Sequence, residues 1–223
     1  MPVDAVLFDM DGTIVEFAFD AAGAREAVIG VLTRGGVPVE MLSWSIQSNQ
    51  LLSLGSRYLE DRGVDPMPIL DMAYDELERL DLLSAVNPKL TPGAGELLGF
   101  LRHRSIPVVL VTNSSDEATR SVLTQLNLQG VFTSVVARRK GLRLKPYPDM
   151  ILRGLSDISV RPSPRVYFVG DNWADMRAAM LAGVTGVGYG NDKSLFPSLL
   201  SAGAAVAFAS MKDVLAFLSK AMI

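Results

Sequence analysis

The chain has 223 residues, of which 49% are hydrophobic, with a formal net charge of -3, no cysteine and a single histidine. This composition excludes a largely disordered chain, a disulfide framework or thiolate chemistry and the electrostatic footprint of a nucleic-acid binder, and the lone His103, between Arg102 and Arg104, reads as a solvated helix end, which argues against a histidine metal site or a Ser-His-Asp triad. No stretch reaches the ~20 apolar residues of a membrane span, and no charged segment followed by a long apolar core marks a signal peptide, so a cytoplasmic protein able to bury a sizeable core is expected.

Residues 3–8 form an apolar run of the length and composition of a buried strand. It stops at Asp9 and Asp11, followed by Gly12-Thr13. On an extended chain, residues two apart point the same way. Both carboxylates therefore face one small volume at the strand's carboxyl end, where open α/β sheets bind ligands. Crowded carboxylates repel each other, and a cation relieves them. Gly12 lets the backbone turn sharply and expose amides, which suits an anion. Cation and anion at one strand end point to a magnesium phosphate site, although Asp and Gly also begin ordinary loops.

From residue 19 to 83 helical periodicity dominates. Asp20 is placed to cap a helix to about residue 34, which Gly35-Gly36 would end. Val37-Pro38 opens a second helix through about residue 54, and residues 55–63 hold a shorter turn or helix with Arg57, Tyr58 and Arg62. Pro68 starts a further helix, with Leu70, Met72, Leu77 and Leu80 inward. The pattern predicts a bundle of about four helices inserted after the first strand, with the return marked by Asn87-Pro88 and Thr91-Pro92-Gly93. Strands at 106–111, 131–137, 165–169, 184–189 and 204–208 then alternate with helices, the first of them at 93–103 and the last at 211–221. That alternation predicts a Rossmann-like α/β core, a parallel sheet covered on both faces. The domain reading is 1–15 with 89–223 for the core and 16–88 for a helical cap.

Three further stretches fall at strand ends. Thr112-Asn113 offers a hydroxyl and an amide to phosphate oxygens, in a place where Ser114 or Ser115 would also serve as an ordinary helix cap. Lys145, in the proline-stiffened Lys145-Pro146-Tyr147-Pro148, is suited to neutralise a phosphate or a carboxylate; a surface lysine fits the same stretch. Gly170-Asp171-Asn172-Trp173-Ala174-Asp175 adds acids that complete an oxygen-donor site suited to magnesium, and Asp175 also fits a helix first turn. Arg139, Lys140 and Arg143 read as a solvated face. The glycines at 93, 95 and 99 have the wrong spacing for a dinucleotide fingerprint.

With these residues in order, the chain resembles the haloacid dehalogenase-like hydrolase superfamily, in particular its phosphatase branch with a small helical cap (the phosphoglycolate phosphatase-like members). Asp9-Met10-Asp11-Gly12-Thr13, Thr112-Asn113, Lys145-Pro146, and Gly170-Asp171 with Asp175 are similar to its four motifs. The resemblance implies Asp9 as nucleophile, forming an aspartyl-phosphate, and Asp11 as general acid and then base. It implies Mg2+ held by Asp9, the Asp11 backbone carbonyl and Asp171, with Asp175 in support. Gly12, Thr112 and Lys145 would bind the phosphoryl group, with Asn113 lining the site. The second carboxylate, Asp11, favours phosphate-ester chemistry over dehalogenation. The implied activity is hydrolysis of a small-molecule phosphate monoester, with no nucleic-acid or membrane partner. Phosphosugar mutases share all these residues, and a catalytically idle binding protein on the same fold is the reading from another class. Glu16-Phe17 and Asn172-Trp173 depart from the commoner family residues, and Arg34, Arg57 and Arg62 are candidates for an acidic substrate group.

Overall fold

The computed structural model describes residues 3–16 and 20–222; of the departures noted above, Phe17 lies outside them. The chain begins with β1 (Ala5–Phe8) and the two-residue β2 (Val15–Glu16), then enters three helices, α1 (Ala21–Arg34), α2 (Ser48–Glu60) and α3 (Met67–Ser84). It returns through β3 (Lys89–Leu90), which pairs antiparallel with β2. There follow α4 (Ala94–His103), β4 (Val108–Ser115), α5 (Asp116–Gln125), β5 (Ser134–Arg138), α6 (Asp149–Asp157), β6 (Val166–Gly170), α7 (Trp173–Ala182) and β7 (Thr185–Tyr189). The chain closes with α8 (Phe196–Ser201), β8 (Ala204–Phe208) and α9 (Met211–Ala221). No helix among the described residues is long and apolar enough to cross a membrane.

The six-stranded sheet has the order β5-β4-β1-β6-β7-β8, and all its neighbours are parallel. Its central strands begin as apolar runs, such as Ala5–Phe8 and the first four residues of β4, because both faces are covered. Ala5 and Leu7 face one way, into a core with Val109, Phe168, Met150 and Ile151; Val6 and Phe8 face the other way, against Leu97, Leu110 and Leu218. The first core continues into the insert, where Leu32, Leu51, Leu70 and Leu77 pack the three helices together. The order places β1 between β4 and β6, so the chain leaves β1 in one direction across the sheet and later comes back to its other side. That reversal opens a crevice at the carboxyl ends of the strands.

The insert differs from its sequence reading in three respects. Residues after Pro38 make only a 3-10 turn, Val39–Met41, and α2 starts at Ser48. In between, the Ser43 hydroxyl accepts from the Ser45 amide at 3.2 Å, a local bond that competes with helix; Gln47 and Gln50 then form a capping box. Gly55 does not interrupt the helix. It sits inside α2, where an added Cβ would stand 2.5 Å from a Leu32 methyl, so glycine there permits close packing on α1. Met72 is 52% exposed rather than inward. The insert thus holds three helices and a 3-10 turn among its described residues, rather than about four helices. Beyond it, the 3-10 turn Lys193–Leu195 and α8 fill a stretch in which no element was expected.

Candidate active site

β1 delivers the first carboxylate. The Asp9 amide donates to the Val169 carbonyl at 2.9 Å, which carries the β1–β6 pairing one residue past the strand. The chain then folds back on itself: the Ile14 and Val15 amides both donate to the Met10 carbonyl at 2.9 Å, and the Gly12 amide donates to the Val15 carbonyl at 2.8 Å. The Gly12 amide itself is engaged within the turn. What Gly12 supplies is a φ of +79° and the absence of a Cβ, which would collide with the Asp171 carboxylate.

β4 and β6, on either side, deliver the next groups. Asp11 Oδ2 accepts from the Thr112 hydroxyl at 3.3 Å and from the Ser114 hydroxyl in a shorter bond. The Thr112 oxygen in turn accepts from the Ser114 amide at 3.0 Å. Thr112 is fully buried, with its hydroxyl turned to Asp11. Asn113 is held face to face with Lys145: its Nδ2 donates to the Lys145 carbonyl and its Oδ1 accepts from the Lys145 amide, both at 3.1 Å. These bonds fix the loop that carries Lys145, whose ammonium lies 2.5 Å from Asp9 Oδ1 and 2.7 Å from Asp175 Oδ1 and donates to the Val111 carbonyl at 3.0 Å.

After β6, Asn172 caps α7. Its Oδ1 accepts from the Ala174 amide at 2.8 Å, Asp175 Oδ2 accepts from the Asn172 amide at 3.2 Å, and Asn172 Nδ2 donates to Asp171 Oδ1 at 3.2 Å. A capping box, built here with Asp, therefore orients both acids. Trp173 lies beside the insert, lining a groove with Ile46, Gln50 and Arg57.

Together these groups enclose a cavity of about 280 Å³ between the sheet and the insert. Asp9, Asp11, Gly12, Asn113, Lys145 and Asp171 all line it. So do Ser114, Arg138 and Asn172 from the core, and Ser48, Asn49, Leu77 and Asp81 from the insert. Thr112 and Asp175 stand behind this wall. Arg57, by contrast, lines the Trp173 groove, Arg62 stacks 3.6 Å from the Tyr58 ring centre, and Arg34 is exposed. None of the three lines this cavity.

Electrostatically the cluster is short of positive charge. Burial raises the Asp9 pKa well above the ordinary carboxylate value; Lys145 opposes the shift, while Asp175, Asp171 and Asp11 reinforce it. Burial likewise pushes Asp11 up to about 6, against the hydrogen bond from Ser114. Asp171 is pushed up to about 7 by burial and then by the nearby Asp175. Burial works to lower the Lys145 pKa, but Asp175 and Asp9 outweigh it and hold the ammonium charged. Asp9, Asp171 and Asp175 each offer a carboxylate oxygen within 4.8 Å of the others, and Asp11 Oδ1 is buried without a hydrogen-bond partner. A hard cation with oxygen ligands fits such a donor set.

Sequence reasoning missed three contributors. Ser114 was read as a possible helix cap, whereas Ser115 serves that role and Ser114 binds Asp11. Asp81 and Arg138 form a buried ion pair, with N–O 2.5 Å, that joins the insert to the sheet. The available signal was an acid next to the inward Leu80, on the buried face of α3.

A family model described as haloacid dehalogenase-like hydrolase matches residues 3–183. A phosphoglycolate phosphatase of Pseudomonas fluorescens is 28% identical over 188 residues, which cover 80% of this chain and 66% of that one. An N-acetylmuramic acid 6-phosphate phosphatase of Pseudomonas putida is 26% identical over 183 residues, covering 82% and 81%. In fold, the chain is similar to a HAD-superfamily hydrolase of Ehrlichia chaffeensis in its crystal structure, with a TM-score of 0.62 and 24% identity over 100% and 98% of the two chains.

Proposed function

The chain belongs to the haloacid dehalogenase-like hydrolase family, and on that premise we propose that it hydrolyses a small soluble phosphate monoester through an aspartyl-phosphate. The observation that carries this reading is the convergence of Asp9, Asp11, Lys145 and Asp171 on one cavity.

In the first half-reaction an Asp9 carboxylate oxygen attacks phosphorus. The new O–P bond forms as the bond to the alcohol oxygen breaks, and Asp11 gives that oxygen its proton. The bonds from Thr112 and Ser114 to Asp11 Oδ2 orient this acid. In the second half-reaction water attacks phosphorus, Asp11 takes the water's proton, and the bond to Asp9 breaks. Lys145 holds Asp9 and offsets part of the repulsion between an anionic nucleophile and an anionic phosphoryl group. Asp9, Asp171 and the Asp11 backbone carbonyl, with Asp175 in support, would hold Mg2+, which supplies the charge compensation that this acid-rich cluster lacks. The insert, residues 16–88, acts as a cap over the cavity, opening for exchange and closing to exclude bulk water.

Phosphate release from a panel of small esters tests the reading, with wild type and Asp9→Asn, each with magnesium and with chelator. Release that needs both magnesium and Asp9 is expected. An active Asp9→Asn would sink the nucleophile assignment. Transfer to a second sugar hydroxyl faster than to water would favour the mutase instead.

A further inference from the structure

Part of the cavity wall is formed by the insert and by the end of β5. Its one cation is Arg138, which is immobilised: the side chain is 4% exposed, one arm lies on Asp81 Oδ2 at 2.5 Å and the other donates to the Asn113 carbonyl at 2.9 Å. Asp81 Oδ2 is itself fixed by the Ser115 amide at 2.9 Å. The other lining cation, Lys145, is held between Asp9 and Asp175. Among the described residues lining the cavity, every cation is therefore already matched by a carboxylate, and Asp11 and Asp171 add further negative charge.

A bound divalent cation would offset the charge of the phosphoryl group itself, and the surplus of carboxylates over Lys145 at the Asp9 end would remain. An acid group on the alcohol would then enter a cavity of net negative charge with no free cation to meet it, and like charges brought together in a desolvated site strongly oppose binding. Hydroxyls meet no such penalty. The Ser48 hydroxyl and the Asn49 amide offer donors and acceptors on the cap side, and Leu77 offers an apolar contact for carbon. We infer that the ester this cavity takes carries an uncharged, hydroxyl-bearing alcohol rather than a carboxylate-bearing one, an inference that rests on the phosphatase reading.

Glycerol 1-phosphate and 3-phosphoglycerate test it, since they differ only in a hydroxymethyl group against a carboxylate. With the full-length protein and saturating magnesium, both turnover and competition against 4-nitrophenyl phosphate are measured, so that affinity is read whether or not an ester is cleaved. The glycerol ester is expected to win by about tenfold or more in kcat/KM or in inhibition constant. Asp81→Asn keeps the side chain's shape but leaves the Arg138 charge unmatched. With folding checked by circular dichroism, it is expected to narrow that ratio by about fivefold or more through a gain on the carboxylate ester. Equal or better performance of 3-phosphoglycerate with wild type overturns the inference, as does failure of both esters to compete, or an unchanged ratio in a folded Asp81→Asn. If wild type leaves 4-nitrophenyl phosphate itself intact, the phosphatase reading fails first and the inference falls with it, a result distinct from the other three.

Discussion

The Lys145 ammonium lies 2.5 Å from the Asp9 carboxylate and 2.7 Å from that of Asp175, with all three side chains buried. One cation thus bridges two acids, one just past β1 and one in the first turn of α7. Lys145→Ala would leave both carboxylates buried without it, and breaking such a pair costs about 3–5 kcal/mol. Urea unfolding of the metal-free protein should register that loss. The double variant Lys145→Ala, Asp175→Asn should recover part of it, because one of the two stranded charges is gone. Additive losses would mean that Asp175 is stabilised from elsewhere.

Asp11 is positioned to donate a proton, and its worth then depends on how much the leaving oxygen needs one. Asp11→Asn retains an oxygen for the Thr112 and Ser114 hydroxyls and loses the acid. It should reduce turnover of an alkyl phosphate by about 10²–10⁴-fold. 4-Nitrophenol leaves without help, so aryl-ester cleavage should fall much less in the aspartyl-phosphate-forming step, as read in single-turnover bursts. Equal losses on both esters would remove Asp11 from the acid role.

The legible parts of this molecule are those that short-range pattern determines. Within the expected 3–8 run, Ala5–Phe8 form the strand, a continuous apolar stretch that a doubly covered sheet buries, and Asp9 and Asp11 come just after it. The strand ends that carry Asn113 and Asp171 announced themselves in the same way, and the structure brings both to the cavity with Lys145. What the pattern could not reveal depends on partners remote in sequence. Asp81 and Arg138 are 57 positions apart, and each alone looks like a surface charge. Gly55 resembles a helix breaker until Leu32 is seen against it. The late start of α2 depends on a local contest between helix and the Ser43–Ser45 bonds, which periodicity does not weigh.

The acid cluster also fixes how stability should vary with pH. Asp11 and Asp171 have ordinary values of 3.8, raised in the fold to about 6 and about 7. Between those limits the folded chain binds more protons than the unfolded one, so stability falls as pH rises from about 4 to about 7. Asp157 and Asp192 are lowered in the fold, so their contribution is lost only below the same 3.8. In chelator, the melting temperature should therefore decline across pH 4–7, apart from any change below that range. Magnesium binds the ionised cluster, so it should raise the melting temperature at pH 7.5 and do little at pH 5. Asp11→Asn with Asp171→Asn should lessen the decline, leaving the part that the raised Asp9 and Asp81 contribute, and abolish the magnesium effect. A metal-induced stabilisation independent of pH would contradict this picture.

Two glycines with nearly the same backbone separate strain from collision. Gly12 has φ +79° and faces the Asp171 carboxylate, whereas Gly130 has φ +74° with nothing within 4 Å of where a Cβ would stand. Alanine at either position must adopt a left-handed conformation, which costs about 1–2 kcal/mol. Gly130→Ala should lose that much stability and keep full activity. Gly12→Ala should lose at least as much and also displace Asp171, a carboxylate of the proposed metal cluster. Its activity should then fall most at low magnesium and recover in part as magnesium is raised, since a weakened site is refilled by mass action. If Gly12→Ala matched Gly130→Ala in both stability and magnesium dependence, the contact with Asp171 would have no part in the chemistry, and Gly12 would be a turn residue only.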